Sequence, residues 1–194
     1  DGKNYPSAGI GLMFPESQPL DLRMMSSIRL RLSSDKPRKI RLSLSSHDSI
    51  YQAASDSGIS LGKDTIVGPE GVEWSISALD LTWPRWAIDV PAMEPTEILA
   101  GIFAIQLNAS CETKSGTCES DSGWVHLDSL RLIGVGGAWP APTQGRSCFG
   151  DSTSVSRFQS GQTKKNGLGG WWYAFSDVGA AATNSRGHSQ ILSA

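Results

Sequence analysis

The chain has 194 residues, a formal net charge of -2, only 19% charged residues, 21 glycines and seven tryptophans. That length supports one sizeable core. The charge balance excludes the basic field that nucleic-acid binding requires, and no apolar run is long enough to cross a bilayer. Low charge combined with many Gly, Ser and Trp residues fits a secreted or cell-surface β-protein.

Residues 5–14 read YPSAGIGLMF. Small residues leading into Ile10, Leu12 and Phe14 predict a strand whose backbone packs closely against its surroundings. Residues 26–44 follow, with two runs that alternate apolar and polar side chains: Ile28-Arg29-Leu30-Arg31-Leu32 and Ile40-Arg41-Leu42-Ser43-Leu44. Period two is the mark of a strand with one buried and one wet face. Ser34-Asp35-Lys36-Pro37 supplies turn chemistry between them. The expectation is a pair of adjacent antiparallel strands with a shared Ile/Leu face. Arg29, Arg31 and Arg41 then line the wet face, as a solvated surface or as a sugar or phosphate platform.

Residues 45–63 are polar and read mainly as loop, with room for a short strand near Ser49-Ile50-Tyr51. Val72-Glu73-Trp74-Ser75-Ile76 alternates again and predicts a strand. Trp83-Pro84-Arg85-Trp86 suits a packed loop or an exposed surface, because proline interrupts an interior strand. Residues 98–107, ILAGIFAIQL, predict a central strand rather than a helix. Trp124 to Leu132 is the last clear strand of this unit, with Trp124 structural and His126 at a surface or groove. Residues 135–147 form a Gly/Pro-rich linker candidate. Residues 148–194 are polar and glycine-rich, with one aromatic patch, Trp171-Trp172-Tyr173-Ala174-Phe175. These boundaries define a main unit over 1–134, a linker over 135–147 and an aromatic tail over 148–194 that is expected to complete the same sandwich or that of a neighbour. No amphipathic helix of useful length is present. Short strands with glycine-rich turns argue for an all-β sandwich.

There are three cysteines. Cys111 and Cys118 bracket a short polar loop, and a disulfide closing it is sterically easy and implies an oxidising compartment. That pairing leaves Cys148 over. His47, His126 and His188 have no metal-ligand spacing. Gly167-Leu168-Gly169-Gly170 lacks the lysine of a phosphate loop, and Gly187-His188-Ser189 lacks the second glycine of a nucleophile elbow. Glu70 and Glu73 lie three apart at a strand entry and do not form an acid/base pair across a cleft. The chain therefore reads as a non-enzyme without a cofactor. Its better signal is aromatic. Flat rings suit the C–H faces of pyranoses, with neighbouring polar groups bonding the hydroxyls. Trp83, Trp86, Trp171, Trp172 and Tyr173 are the candidate carbohydrate-binding residues. Asn108-Ala109-Ser110 fits the N-glycosylation sequon.

The segment from Val155-Ser156-Arg157-Phe158-Gln159-Ser160-Gly161 through Asn166-Gly167-Leu168-Gly169-Gly170-Trp171-Trp172-Tyr173-Ala174-Phe175-Ser176-Asp177 resembles a known opening. It is that of jelly-roll carbohydrate-binding modules and galactose-binding-like domains of secreted fibre-degrading bacteria. Trp124-Val125-His126-Leu127-Asp128-Ser129-Leu130-Arg131-Leu132-Ile133-Gly134 resembles the close of such a domain. The resemblance implies a galactose-binding-like jelly-roll β-sandwich with its opening segment displaced to the C-terminal end. It also implies a structural calcium, held by the acidic opening and by an aspartate on the closing strand. Gln159 and Ser160 stand where the opening acids belong, while Asp128 is retained beside Ser129, so Asp128 is the candidate metal ligand. The functional expectation is a non-catalytic module that recognises polysaccharide or cell-surface glycan. The alternatives are a structural subunit of a fibre, sheath or surface layer, self-associating through the C-terminal strand, and a glycoside-active enzyme.

Overall fold

The computed structural model describes residues 7–14, 19–46, 59–83, 95–110, 123–134, 152–157, 171–176, 180–185 and 188–193. Eleven strands are found there: β1 (Ser7–Met13), β2 (Ser27–Ser34), β3 (Arg38–Ser46), β4 (Ile59–Val67), β5 (Val72–Ser77), β6 (Ile102–Ser110), β7 (Gly123–Ile133), β8 (Ser152–Arg157), β9 (Trp171–Ser176), β10 (Ala180–Ser185) and β11 (His188–Ser193). A 3-10 turn, Ala78–Asp80, and one short helix, α1 (Pro95–Leu99), interrupt them.

The strands form two antiparallel sheets. The first has the order β4-β3-β6-β1-β9, and the second the order β10-β11-β7-β2-β5 with β8 also on β7. Strands β8, β9 and β11 thus pair with β7 or β1 of the same chain. Both sheets contribute to one apolar cluster. Ile40, Leu42 and Leu44 of β3 and Ile105 and Leu107 of β6 come from the first; Ile28, Leu30 and Leu32 of β2 and Leu130 and Leu132 of β7 come from the second. The fold is an all-β sandwich in which alternate residues of strands such as β2, β3, β6 and β7 meet in the middle.

The two arginine-rich runs are strands, as their alternation predicts, but they are not neighbours. β2 pairs with β5 and β7, and β3 pairs with β4 and β6, in the other sheet. The residues between them carry the chain from one sheet to the other. Period-two alternation shows that a strand has a buried face and cannot show whether its partner lies beside it or across the core. The crossing is built from local polar contacts. Ser34, fully buried, donates its hydroxyl to the Val67 carbonyl at 2.8 Å. Asp35 accepts from Arg38 Nε at 3.0 Å and Nη2 at 3.2 Å, and from the Trp124 backbone N–H at 3.1 Å. The carboxyl of Asp35 is held below its usual range mainly by the Arg38 guanidinium, with the Trp124 N–H assisting.

Three further expectations are corrected. The polar stretch 45–63 is not all loop: its end enters β4, which pairs along the full length of β3. The apolar run 98–107 is divided. Ile98 and Leu99 close α1, and the strand begins at Ile102. Trp124 is not a core residue, being 39% exposed. The possible strand at 49–51, the linker at 135–147 and the Cys111–Cys118 loop lie outside the described residues, as do Cys148, Gln159 and Ser160. Among the described residues, no helix is long and apolar enough to cross a membrane.

Candidate functional site

The side of the first sheet turned away from the core carries a regular array. Register makes it legible, because residues directly opposite on neighbouring antiparallel strands lie about 4.5–5.5 Å apart and share a face. One row across the sheet runs Asp64, Arg41, Asn108, Gly9 and Phe175. The next runs Gly62, Ser43, Gln106, Gly11 and Tyr173, and the third Ser60, Ser45, Ala104, Met13 and Trp171. Polar side chains occupy the middle strands, glycines alternate with them, and β9 brings three aromatic positions to the rim.

Local sequence explains this arrangement. In β1, Gly9 and Gly11 alternate with Ile10 and Leu12, so the strand faces the core with apolar residues and leaves a floor without side chains outside. Gly9, Gly11 and Ser43 are buried, and Gln106 and Asn108 are half-buried. The middle of this face is therefore not a fully solvated sheet surface.

Arg41 is fixed in place. Its Nη1 donates to Asp64 Oδ1 at 2.9 Å and its Nη2 to the Thr82 carbonyl at 3.2 Å. Lys39 Nζ stands 3.6 Å from the other oxygen of Asp64. Gly62 makes this geometry feasible. A Cβ there would lie 2.2 Å from the Leu42 carbonyl and 3.0 Å from Arg41 Nη2. Gly62 and Thr82 also exchange reciprocal backbone hydrogen bonds, both 2.9 Å. That bridge ties the segment entering Trp83 to the outer edge of β4. Trp83 itself is half-buried and packs against the core cluster.

Farther along the rows, Ser45 Oγ lies 3.5 Å from Gln106 Oε1. Asn108 Oδ1 is buried and lacks a hydrogen-bond partner among the described residues. A buried acceptor in that state costs about 1–3 kcal/mol. The position of Asn108 in the central strand β6, with its carbonyl oxygen enclosed, also removes its side chain from the surface-loop setting of a glycosylation acceptor.

The sequence-predicted residues are distributed as follows. Trp171, Trp172 and Tyr173 lie on β9, opposite Met13, Leu12 and Gly11. Trp83 is at the opposite edge of the same sheet, next to the Thr82–Gly62 bridge. Trp86 lies outside the described residues. Asp128 is on the other sheet, 3.4 Å from Arg31 Nε, and among the described residues no group of three or more His, Cys, Asp or Glu side chains comes together. The supposed triad of arginines is divided: Arg29 and Arg31 belong to the second sheet and Arg41 to the first. Sequence reasoning missed Asp64, Gln106 and Asn108. The outward parity of Gln106 and Asn108 within 102–110 was the available signal, and it becomes readable only once the run 98–107 is divided after α1.

Comparison with protein-family models, with curated proteins and with solved structures finds no match. The ordered groups on this face are amides, hydroxyls and one anchored ion pair, chemistry that can exchange hydrogen bonds with a polyhydroxylated ligand.

Proposed function

We propose that the chain is a non-catalytic polysaccharide-binding β-sandwich of the galactose-binding-like jelly-roll kind, acting outside the cell, and that the outer face of the first sheet receives the glycan. One observation carries the reading: three register rows that join the polar positions Arg41, Asn108, Gln106 and Ser43 to the β9 positions of Phe175, Tyr173 and Trp171. Pyranose recognition calls for that combination, an apolar plate for the C–H face and fixed donors and acceptors for the hydroxyls.

The test is retention of the full chain on a panel of insoluble polysaccharides. Wild-type protein is retained on at least one neutral member. Gln106→Ala, Asn108→Ala and Tyr173→Ala each weaken retention by about tenfold, the loss of one to two good hydrogen bonds or a stacked ring. Trp83→Ala lowers stability, because that ring packs on the core. Absence of retention on every member, together with concentration-dependent assembly in sedimentation, overturns the proposal in favour of a structural subunit.

A further inference from the structure

β4 and β5 each end a sheet, and the chain treats their edges differently. The outer edge of β4 is tied by the reciprocal Gly62–Thr82 backbone hydrogen bonds. β5 ends the second sheet, and among the described residues it pairs with β2 alone. Its ladder with β2 runs from Val72 to Ser77 without a bulge, and the strand contains neither proline nor lysine. Those are the devices that keep an edge strand from pairing with another chain. Glu73 and Ser75 are exposed, and Leu79, just past the strand, is 94% exposed.

Hydrogen bonds at the strand ends show which backbone groups of β5 point outward. The Asp35 N–H donates toward β7, to the Trp124 carbonyl at 3.4 Å, and the Ser34 N–H donates the other way, to the Gly68 carbonyl at 3.2 Å in the turn that leads into β5. Successive residues of a strand turn their backbone groups to opposite sides. Ile28, Leu30 and Leu32 therefore turn to β5, and their partners Ile76, Trp74 and Val72 turn back to β2. At the other end the Ala78 N–H donates to the Ser26 carbonyl at 3.2 Å, in the same phase. The β-bulge between β2 and β7 does not disturb this alternation, because its extra residue is on β7: Arg31 pairs with Ser129 and Leu32 with Leu127, which leaves Asp128 over. Glu73, Ser75 and Ser77 are left facing the outer edge of β5, with one donor and one acceptor each.

We infer that this edge pairs with the same edge of a second copy of the chain, antiparallel about a twofold axis at Ser75, so that the second sheets of two molecules become one. The register follows from the groups available. Paired residues share a face, so the edge-facing residues must pair with one another. Centring on Glu73 opposes two carboxylates, which is destabilising. Centring on Trp74 sets Ser77 against Gly71, whose N–H already donates to Gly68. Centring on Ile76 sets Glu73 against Leu79, whose N–H already donates to the Ser77 hydroxyl. Centring on Ser75 pairs every edge group: Ser75 meets Ser75, and Glu73 meets Ser77 of the second copy. Charge fits as well. Glu73 is the ionisable side chain of β5, it faces a serine, and roughly 14 Å of strand separates the two glutamates. On the inner face, half-buried Trp74, which packs on the core cluster, gains Ile76 of the second copy as a neighbour. The contact is closed by its twofold and stops at two chains. It does not depend on the proposed site on the first sheet.

The test is sedimentation of the full chain from micromolar to millimolar concentration, with amide exchange of labelled protein at both ends of that range. Wild type passes from monomer to dimer and goes no further. In the dimer the amides of Glu73, Ser75 and Ser77 gain protection, while those of Trp74 and Ile76, turned to β2, are protected at both concentrations. Ser75→Lys sets two like charges against each other at the axis and weakens dimerisation at least about tenfold, and added salt recovers part of the loss. Ser75→Thr keeps a neutral hydroxyl and dimerises as wild type does. Both variants, when dilute, keep the urea midpoint of wild type and its retention on polysaccharide. A wild type that is monomeric at millimolar concentration, species that grow beyond two chains, or a dimer indifferent to Ser75→Lys overturns the inference. So does a dimer whose new protection misses Glu73, Ser75 and Ser77. Each of these outcomes leaves the first-sheet proposal standing.

Discussion

Replacing Asp35 with alanine removes the anchor of the crossing between the two sheets. Three hydrogen bonds end on that carboxylate, two from Arg38 and one from the Trp124 N–H. The Arg38 side chain is only 6% exposed, while that of Asp35 is 28% exposed. Breaking a fully buried pair by deleting one member costs about 3–5 kcal/mol. Here water reaches the Asp35 side, and Arg38 has interactions beyond this carboxylate. The expected loss is therefore smaller, about 2–3 kcal/mol. Asp35→Asn keeps an acceptor for the Trp124 N–H and should lose less. Urea unfolding at pH 7 measures both variants, with the slope of the transition unchanged. A pH arm separates charge from packing. The folded carboxyl titrates below its ordinary value of 3.8, so its contribution is fully present above that value and fades as pH falls through the lower, folded one. The gap between wild type and Asp35→Ala should stay constant at neutral pH and narrow in acid below 3.8. A variant within about 0.5 kcal/mol of wild type at pH 7, the range of an ordinary surface change, would refute this account of the crossing. So would a gap that acid leaves untouched.

Two more predictions concern the sheets. Gly62→Ala forces the edge strand β4 away from the Leu42 carbonyl and displaces the Arg41 guanidinium; it should cost about 1–3 kcal/mol by thermal or urea unfolding and weaken glycan retention beyond that loss. Deleting Asp128 should leave a cooperatively folded protein within about 1 kcal/mol of wild type, because the ladder it interrupts becomes regular without it; a chain that fails to fold would show that the bulge is structural.

Much of the sandwich was legible in the sequence because the signal is short-range. Ile28 to Leu32, Ile40 to Leu44 and Val72 to Ile76 alternate cleanly, and each is a strand with its apolar residues inward. β4 was hidden for a physical reason. It pairs with β3 on one side and, among the described residues, meets only the short Thr82 bridge on the other, so Lys63, Asp64 and Thr65 dilute its pattern around the two fully buried residues Leu61 and Val67. The bulge on β7 was visible as a broken phase between Leu127 and Leu130, and its consequence, Asp128 beside Arg31, needed the partner strand. The candidate site was less legible still. Its rows join Asp64 to Phe175 across five strands, and no local pattern announces a register between residues so far apart in the chain.

The central claim, that the outer face of the first sheet receives a neutral glycan, is tested most directly by backbone amide shifts on titrating a soluble neutral oligosaccharide into isotopically labelled full chain. The account predicts saturable shifts concentrated at Gly9, Gly11, Ser43, Gln106, Asn108 and Tyr173, with little change at Arg29, Ser75 and Arg131 on the second sheet. Shifts confined to the second sheet, or none with any oligosaccharide drawn from a polysaccharide that retains the protein, would contradict it.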